Sequence, residues 1–160
     1  MSVNTDLKLY GYYRSSAAYR VRIALAFKQL DWQQLPVNLL TGDHKQQDYL
    51  QVNPQGLVPV LVTADGAITQ SLAIIEYLEE SYPQPALLPP AIIDRAHVRS
   101  MADQIAMEIH PLNNPRVTQF LMTEMGASDA KKLRWYHHWI EVGFIALERR
   151  LTLSGSNGQF

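Results

Sequence analysis

The sequence contains no cysteine. That excludes disulfides, thiolate metal sites and dithiol exchange, and it fits a reducing compartment. No apolar run approaches the roughly 20 residues that a membrane-spanning helix needs. Neither sign of charge dominates: 14 Lys and Arg face 15 Asp and Glu, for a net charge of −1. No global field therefore calls for nucleic acid or an anionic membrane. There is no glycine-rich phosphate loop, and no His or Asp stands near the candidate nucleophile Ser15 to activate it as a hydrolase would. The opening MSVNTDLKLYGYY lacks a basic segment followed by an apolar run, so no secretory signal is expected and the chain reads as soluble and cytoplasmic.

What is present is an ordinary globular composition, 47% hydrophobic and 18% charged over 160 residues. That length suits one domain or two small ones, with enough chain to bury a core without staples. Residues 7–13 alternate as a strand. From Ser16 the period changes: Val21, Ala24, Leu25 and Lys28 fall on one stripe, so residues 16–30 read as a helix. Residues 32–39 alternate again, and Pro36 marks an edge strand because it lacks a ladder N–H. A polar loop comes next, with a short helix around 46–52. Two short strands, 58–63 and 67–69, flank Asp65-Gly66, a two-residue hairpin signal. SLAIIEYLEES then reads as a helix that ends before Pro83, with Glu79-Glu80 as its exposed end.

Residues 83–93 carry four of the nine prolines and read as a linker. From Asp94 the strand signal vanishes. Val98, Met101, Ile105, Ile109 and Leu112 step by three and four, as do Leu133, His137, Ile140, Phe144, Leu147 and Leu151. Pro111 and Pro115 should break or kink the first of these helices. The closing SGSNGQF is polar and expected to fray. The organisation is a mixed α/β domain over 1–82, the linker 83–93, and an α-helical domain over 94–160.

Three places can carry chemistry. Ser15-Ser16 stands where a strand turns into a helix, and a serine cap is worth about 1 kcal/mol. The same helix start can hold an anion, with a serine hydroxyl donating to it. Val58-Pro59 opens a strand after NPQG and reads as a turn or as a cis bond. A cis bond would turn Val58's backbone outward as an open edge that a bound peptide can pair with. Gln70-Ser71 precedes a second helix, with Ser71 as its cap or as a carboxylate site. His137 and Glu141 have i, i+4 spacing, but a metal needs more ligands. His137 reads as a core residue, and no metal site is assigned.

Together these motifs resemble the zeta class of glutathione transferases, the maleylacetoacetate isomerases. The stretches are LYGYYRSSAAYRVRIALA (9–26), VNPQGLVPVL (52–61) and QSLAIIEYLEESYP (70–83). The resemblance runs from Leu9 to about Leu151. It implies a thioredoxin-like N-terminal domain, an all-α C-terminal domain cut short at Phe160 with part of its core exposed, a homodimer, and glutathione as cofactor. It implies Ser15 and Ser16 as catalytic residues at the glutathione sulfur. It places Arg20 in the same binding segment and Val58 on the cysteinyl backbone. Gln70 and Ser71 fall at the γ-glutamyl end, and His44 near the glycyl end. His110, Asn114 and Arg116 match further glutathione contacts. Arg14 is the first candidate for the substrate's negative charge.

The family motif reads S-S-C-x-W-R-V-R. Here Ala17 replaces the cysteine and Tyr19 the tryptophan. The implied activity is glutathione-dependent isomerisation of maleylacetoacetate to fumarylacetoacetate, in tyrosine and phenylalanine catabolism. Two alternatives stand beside it: a general transferase that conjugates or dehalogenates small electrophiles such as α-haloacids, and a non-catalytic interaction module of the same fold.

Overall fold

The computed structural model describes residues 6–153, so the closing SGSNGQF lies outside the described residues. The alternation at 7–13 forms β1 (Lys8–Gly11), shorter at both ends than the pattern suggests. β2 (Gln33–Pro36) runs parallel to it, and β3 (Val60–Thr63) runs antiparallel. β4 (Gly66–Thr69) pairs antiparallel with β3, giving the order β2-β1-β3-β4. Pro36 thus sits on an edge strand, where a missing N–H is tolerated.

The pleat sends alternate residues to opposite faces. Leu9 and Leu61 join Val21, Leu25, Ile74 and Leu78 in one core, under helices α1 (Ser16–Phe27) and α3 (Ser71–Ser81). Their neighbours Tyr10 and Val60 turn to the other face, against Val37 and Tyr49 of α2 (Gln47–Val52). Tyr49 gives its hydroxyl proton to the Leu57 carbonyl at 2.6 Å, and burial pushes its pKa up to about 12.

Four local expectations for residues 16–82 are corrected. α1 ends at Phe27, three residues early, because Gln29 takes a left-handed conformation at φ 55°. Gln29 N–H then donates to Ala26 and Leu30 N–H to Leu25, a Schellman closure built without glycine. The hairpin turn is Ala64-Asp65 rather than Asp65-Gly66: Thr63 pairs with Gly66, which begins β4 at φ 136°. Thr63 Oγ1 accepts from Asp65 N–H and donates to the Gly66 carbonyl, both at 3.1 Å. Ser71 is not a cap, since Gln70 holds the cap position and Ser71 is the first helical residue.

Glu79 is the fourth correction: it is buried, not an exposed helix end. Lys28, which caps the C-terminal end of α1, donates to Glu79 Oε2 at 2.7 Å and to the carbonyls of Tyr82 and Pro85 at 2.6 and 3.0 Å. Glu79 in turn accepts from the backbone N–H groups of Leu87 and Leu88. One buried ion pair thereby fixes the chain that leaves α3. Burial pushes the Glu79 carboxyl up. Hydrogen bonds from Lys28, Leu87 and Leu88, with Lys28's charge, outweigh that and hold it below the ordinary carboxylate range. Gln84–Pro85 in this segment is cis.

The chain divides into two compact units, Met1–Pro89 and Pro90–Phe160. In the second, α4 (Ile92–Asp103) runs into a π-helical turn, Gln104–Ile109. After Pro111 the chain restarts as α5 (Pro115–Thr123) and then α6 (Asp129–Leu153). Pro115 opens α5 at a position where its missing N–H costs nothing. Along α6, Leu147 is buried, while Leu133 and Phe144 stay 53% and 42% exposed. His137 is exposed too, which corrects its reading as a core residue.

Candidate active site

Four segments meet at one end of the sheet. β1 and β2 run parallel and end there, antiparallel β3 begins there, and β4 returns to it. Beyond the strand ends lie the turn at 12–15, the loop at 38–46, Val58-Pro59 and Gln70-Ser71.

The turn is closed by Ser15 N–H donating to the Tyr12 carbonyl at 3.0 Å. Ser15 then caps α1, its Oγ accepting from Ala18 N–H at 3.2 Å. A hydroxyl that accepts in this way keeps its own proton to donate. Ser15 therefore caps the helix, and its O–H stays available beside the positive end of the helix dipole. Ser16 is exposed as the first residue of α1. Arg14 is exposed on the turn, and its charge acts on the Tyr12 phenol, which burial and the neighbouring Tyr13 hydroxyl push up.

Arg20, one turn along α1, reaches α3. Its Nη1 donates to Ser71 Oγ at 2.9 Å. Ser71 is buried, and burial lowers the Arg20 pKa from the ordinary guanidinium value. Among the described residues no carboxylate pairs with this cation. α3 also starts without a side-chain cap, so its first N–H groups have no side-chain acceptor. Gln70 sits just before it at φ 69°, a conformation rare outside glycine. Backbone strain of this kind is of order 1–3 kcal/mol and concentrates at ligand sites.

Val58–Pro59 is cis, and Val58 stands outside the ladder that begins at Val60. His44 lies in a 3₁₀ turn, Asp43–Lys45, with its Nδ1 buried and without a partner among the described residues. Burial first, then the charge of Lys45, lowers its pKa against the opposing pull of Asp43. Gly56 lets this turn approach: at φ 62°, a β-carbon there would meet the His44 carbonyl at 2.9 Å.

The fold thus gathers the segments bearing Ser15, Ser16, Arg20, Val58, Gln70 and Ser71 at one sheet end, with the His44 turn against Gly56. His110, Asn114 and Arg116 belong to the second unit. There Asn114 caps α5, its Oδ1 accepting from Arg116 N–H at 3.1 Å. His110 N–H donates to the Ile105 carbonyl at 2.9 Å.

Two features have no signal in the sequence. Gln70 Nε2 donates to Gln55 Oε1 at 3.0 Å, which ties the strained residue back to the NPQG turn. The partners are 15 residues apart, and no local pattern announces the bond. A cavity of about 490 Å³ also opens beside the serine turn, its walls including Tyr12, Tyr13, Arg22 and Asn38. Arg22 Nη2 donates to the Tyr13 carbonyl at 3.1 Å, and its guanidinium lies over the Tyr19 ring.

This is a thioredoxin-like fold in which the turn between β1 and α1 carries Ser15-Ser16 and no cysteine, followed by a helical unit. The family profile for the glutathione S-transferase N-terminal domain matches residues 9–86. A probable maleylacetoacetate isomerase of Vibrio cholerae is 48% identical over 91% of this chain and 69% of its own. A maleylpyruvate isomerase described as a bacterial zeta-class glutathione S-transferase superposes with a TM-score of 0.92 at 40% identity, covering 96% of this chain and 72% of that one. The maleylacetoacetate isomerase of Methylobacterium extorquens AM1, solved with malonate and glutathione bound, gives 0.88 at 43% identity, covering 91% and 68%. The chain belongs to the glutathione S-transferase family, in the zeta class that includes the maleylacetoacetate isomerases.

Proposed function

We propose that this protein isomerises maleylacetoacetate to fumarylacetoacetate with glutathione as cofactor. The observation that carries the reading is the grouping at the sheet end. There a cap serine with a proton to donate, a helix start without a side-chain cap and an arginine without a carboxylate partner among the described residues flank one another. These groups fit glutathione. The N–H groups of α3, with Arg20 behind Ser71, suit the γ-glutamyl carboxylate. Val58 offers an unpaired edge to the cysteinyl backbone. The orphaned Nδ1 of His44 suits the glycyl end. His110, Asn114 and Arg116, in the second unit, are candidate glutathione contacts on the resemblance alone.

When bound, glutathione supplies a thiolate that adds reversibly to the cis double bond, permits rotation, and is regenerated. Ser15 donates its hydroxyl proton toward the sulfur, while its oxygen keeps the Ala18 bond. Ser16 lies at the same helix start, where the α1 dipole adds to the preference for negative charge. Together they would lower a thiol pKa by about 2 units, equivalent to about 2.7 kcal/mol. The substrate is a dianion. Arg14 on the turn is the first candidate for its negative charge, with Arg20 and Arg116 the others and Arg22 a further cation in the cavity wall. The surroundings of this reading are a cytoplasmic homodimer serving aromatic amino-acid breakdown, supported by the resemblance.

The test is Ser15→Ala. Loss of a single preorganised donor to developing charge is expected to cut kcat by on the order of 10²-fold. Alanine at the cap also affects the fold by about 1 kcal/mol, so melting is followed in parallel. Unchanged turnover in a folded Ser15→Ala protein would remove Ser15 from the mechanism.

A further inference from the structure

Gly143 lies within α6, directly against the π-helical turn Gln104–Ile109. The approach is closer than any side chain permits. A β-carbon at Gly143 would overlap both Cγ1 and Cδ1 of Ile109. Ile109 is 5% exposed, so it has little room to swing outward. At the start of the turn, Gln104 Nε2 donates to the Gly143 carbonyl at 3.2 Å. One residue of α6 therefore holds the π turn at both ends, by an apolar contact and a hydrogen bond.

The next residue is His110. Its N–H reaches back five residues to the Ile105 carbonyl, the wide bond of a π turn. A π turn inserts one extra residue, which rotates the succeeding residues by about 100° relative to an uninterrupted α-helix. The direction in which His110 leaves this helix thus depends on the turn being kept. Helical propensity alone does not keep it, since π turns are rare and occur mostly as single turns within α-helices.

We propose that Gly143 is a positioning residue for His110. The missing side chain lets Ile109 seat on α6, the seated Ile109 holds the π turn, and the π turn sets His110. The consequence for activity rests on the proposed function, in which His110 contacts glutathione.

The experiment compares Gly143→Ala, His110→Ala and their combination, using KM for glutathione, kcat, thermal melting and the NMR signals of the His110 ring. Gly143→Ala is expected to move the His110 ring signals and raise KM for glutathione several-fold, with a smaller effect on kcat. Combined with His110→Ala, the two KM effects should not add, because both act through one side chain. Gly143→Ala with Ile109→Ala, which empties the overlapping space, should recover part of the loss. Ile109→Ala alone, which introduces no overlap, covers the case in which Gly143→Ala does not fold, and should move the same ring signals. Unmoved His110 signals in a folded Gly143→Ala or Ile109→Ala protein overturn the positioning claim, as do additive KM effects. An unchanged KM in His110→Ala, with the ring signals still displaced by Gly143→Ala, instead overturns the glutathione contact and leaves the positioning intact.

Discussion

Arg20 Nη1 and Ser71 Oγ lie 2.9 Å apart, although 51 residues separate them in sequence. The bond joins the beginnings of α1 and α3, the two helix ends that frame the proposed glutathione site. It also places a cation behind a buried hydroxyl with no carboxylate to neutralise it among the described residues.

Arg20→Met should therefore weaken glutathione binding more than it weakens the fold. A hydrogen bond to a charged group is worth about 1.5–3 kcal/mol, so Kd for glutathione is expected to rise by roughly 10- to 100-fold. Arg20→Lys keeps the charge but loses the planar fork, and should fall between. Isothermal titration on the two variants measures this. Equal binding by Arg20→Met and the parent would exclude Arg20 from the site.

Lys28→Met should be strongly destabilising. It leaves the Glu79 carboxylate buried without its cation, which costs about 3–5 kcal/mol in comparable cases. Replacing Glu79 by Leu in the same protein should recover only part of this, because the N–H groups of Leu87 and Leu88 then lose their acceptor. Urea unfolding of the single and double variants supplies the comparison. A loss below about 1 kcal/mol in Lys28→Met would mean that the pair is as weak as one at the surface.

The same carboxylate sets a pH dependence. Glu79 is held below its ordinary pKa in the folded chain. Its stabilising contribution is then fully present above the unfolded value of about 4.3 and is lost as pH falls through the lower folded value. Unfolding free energy measured from pH 6 down to pH 3 should fall less steeply in Glu79→Gln than in the parent. Parallel curves would show that other carboxylates carry the acid sensitivity.

How much of the fold and the site is legible in the sequence depends on how local each cause is. The Ser15 cap, the edge position of Pro36 and the change of period at Ser16 all arise from a few neighbouring residues, and the structure contains them. Lys28 falls on the helical stripe read over residues 16–30, yet nothing nearby shows that Glu79 will meet it, since that partner lies 51 residues on. Ser71 looks like a cap for the same reason, because the arginine that occupies its hydroxyl is remote in sequence. The end of α1 is misplaced because Gln29 takes the left-handed position where glycine is usual. The π turn before His110 has no composition signal. It depends on Gly143, more than thirty residues later, which in sequence is one small residue on a long helix.

In the proposed reaction glutathione acts as a cofactor and is returned unchanged. The direct measurement tracks maleylacetoacetate and total free glutathione together, with the protein present and glutathione well below the substrate concentration. Many turnovers to fumarylacetoacetate per glutathione are expected, with a constant glutathione pool and no protein-dependent reaction without it. Consumption of one glutathione per substrate would instead identify a conjugating transferase, and absence of turnover at any glutathione concentration would rule out the isomerisation.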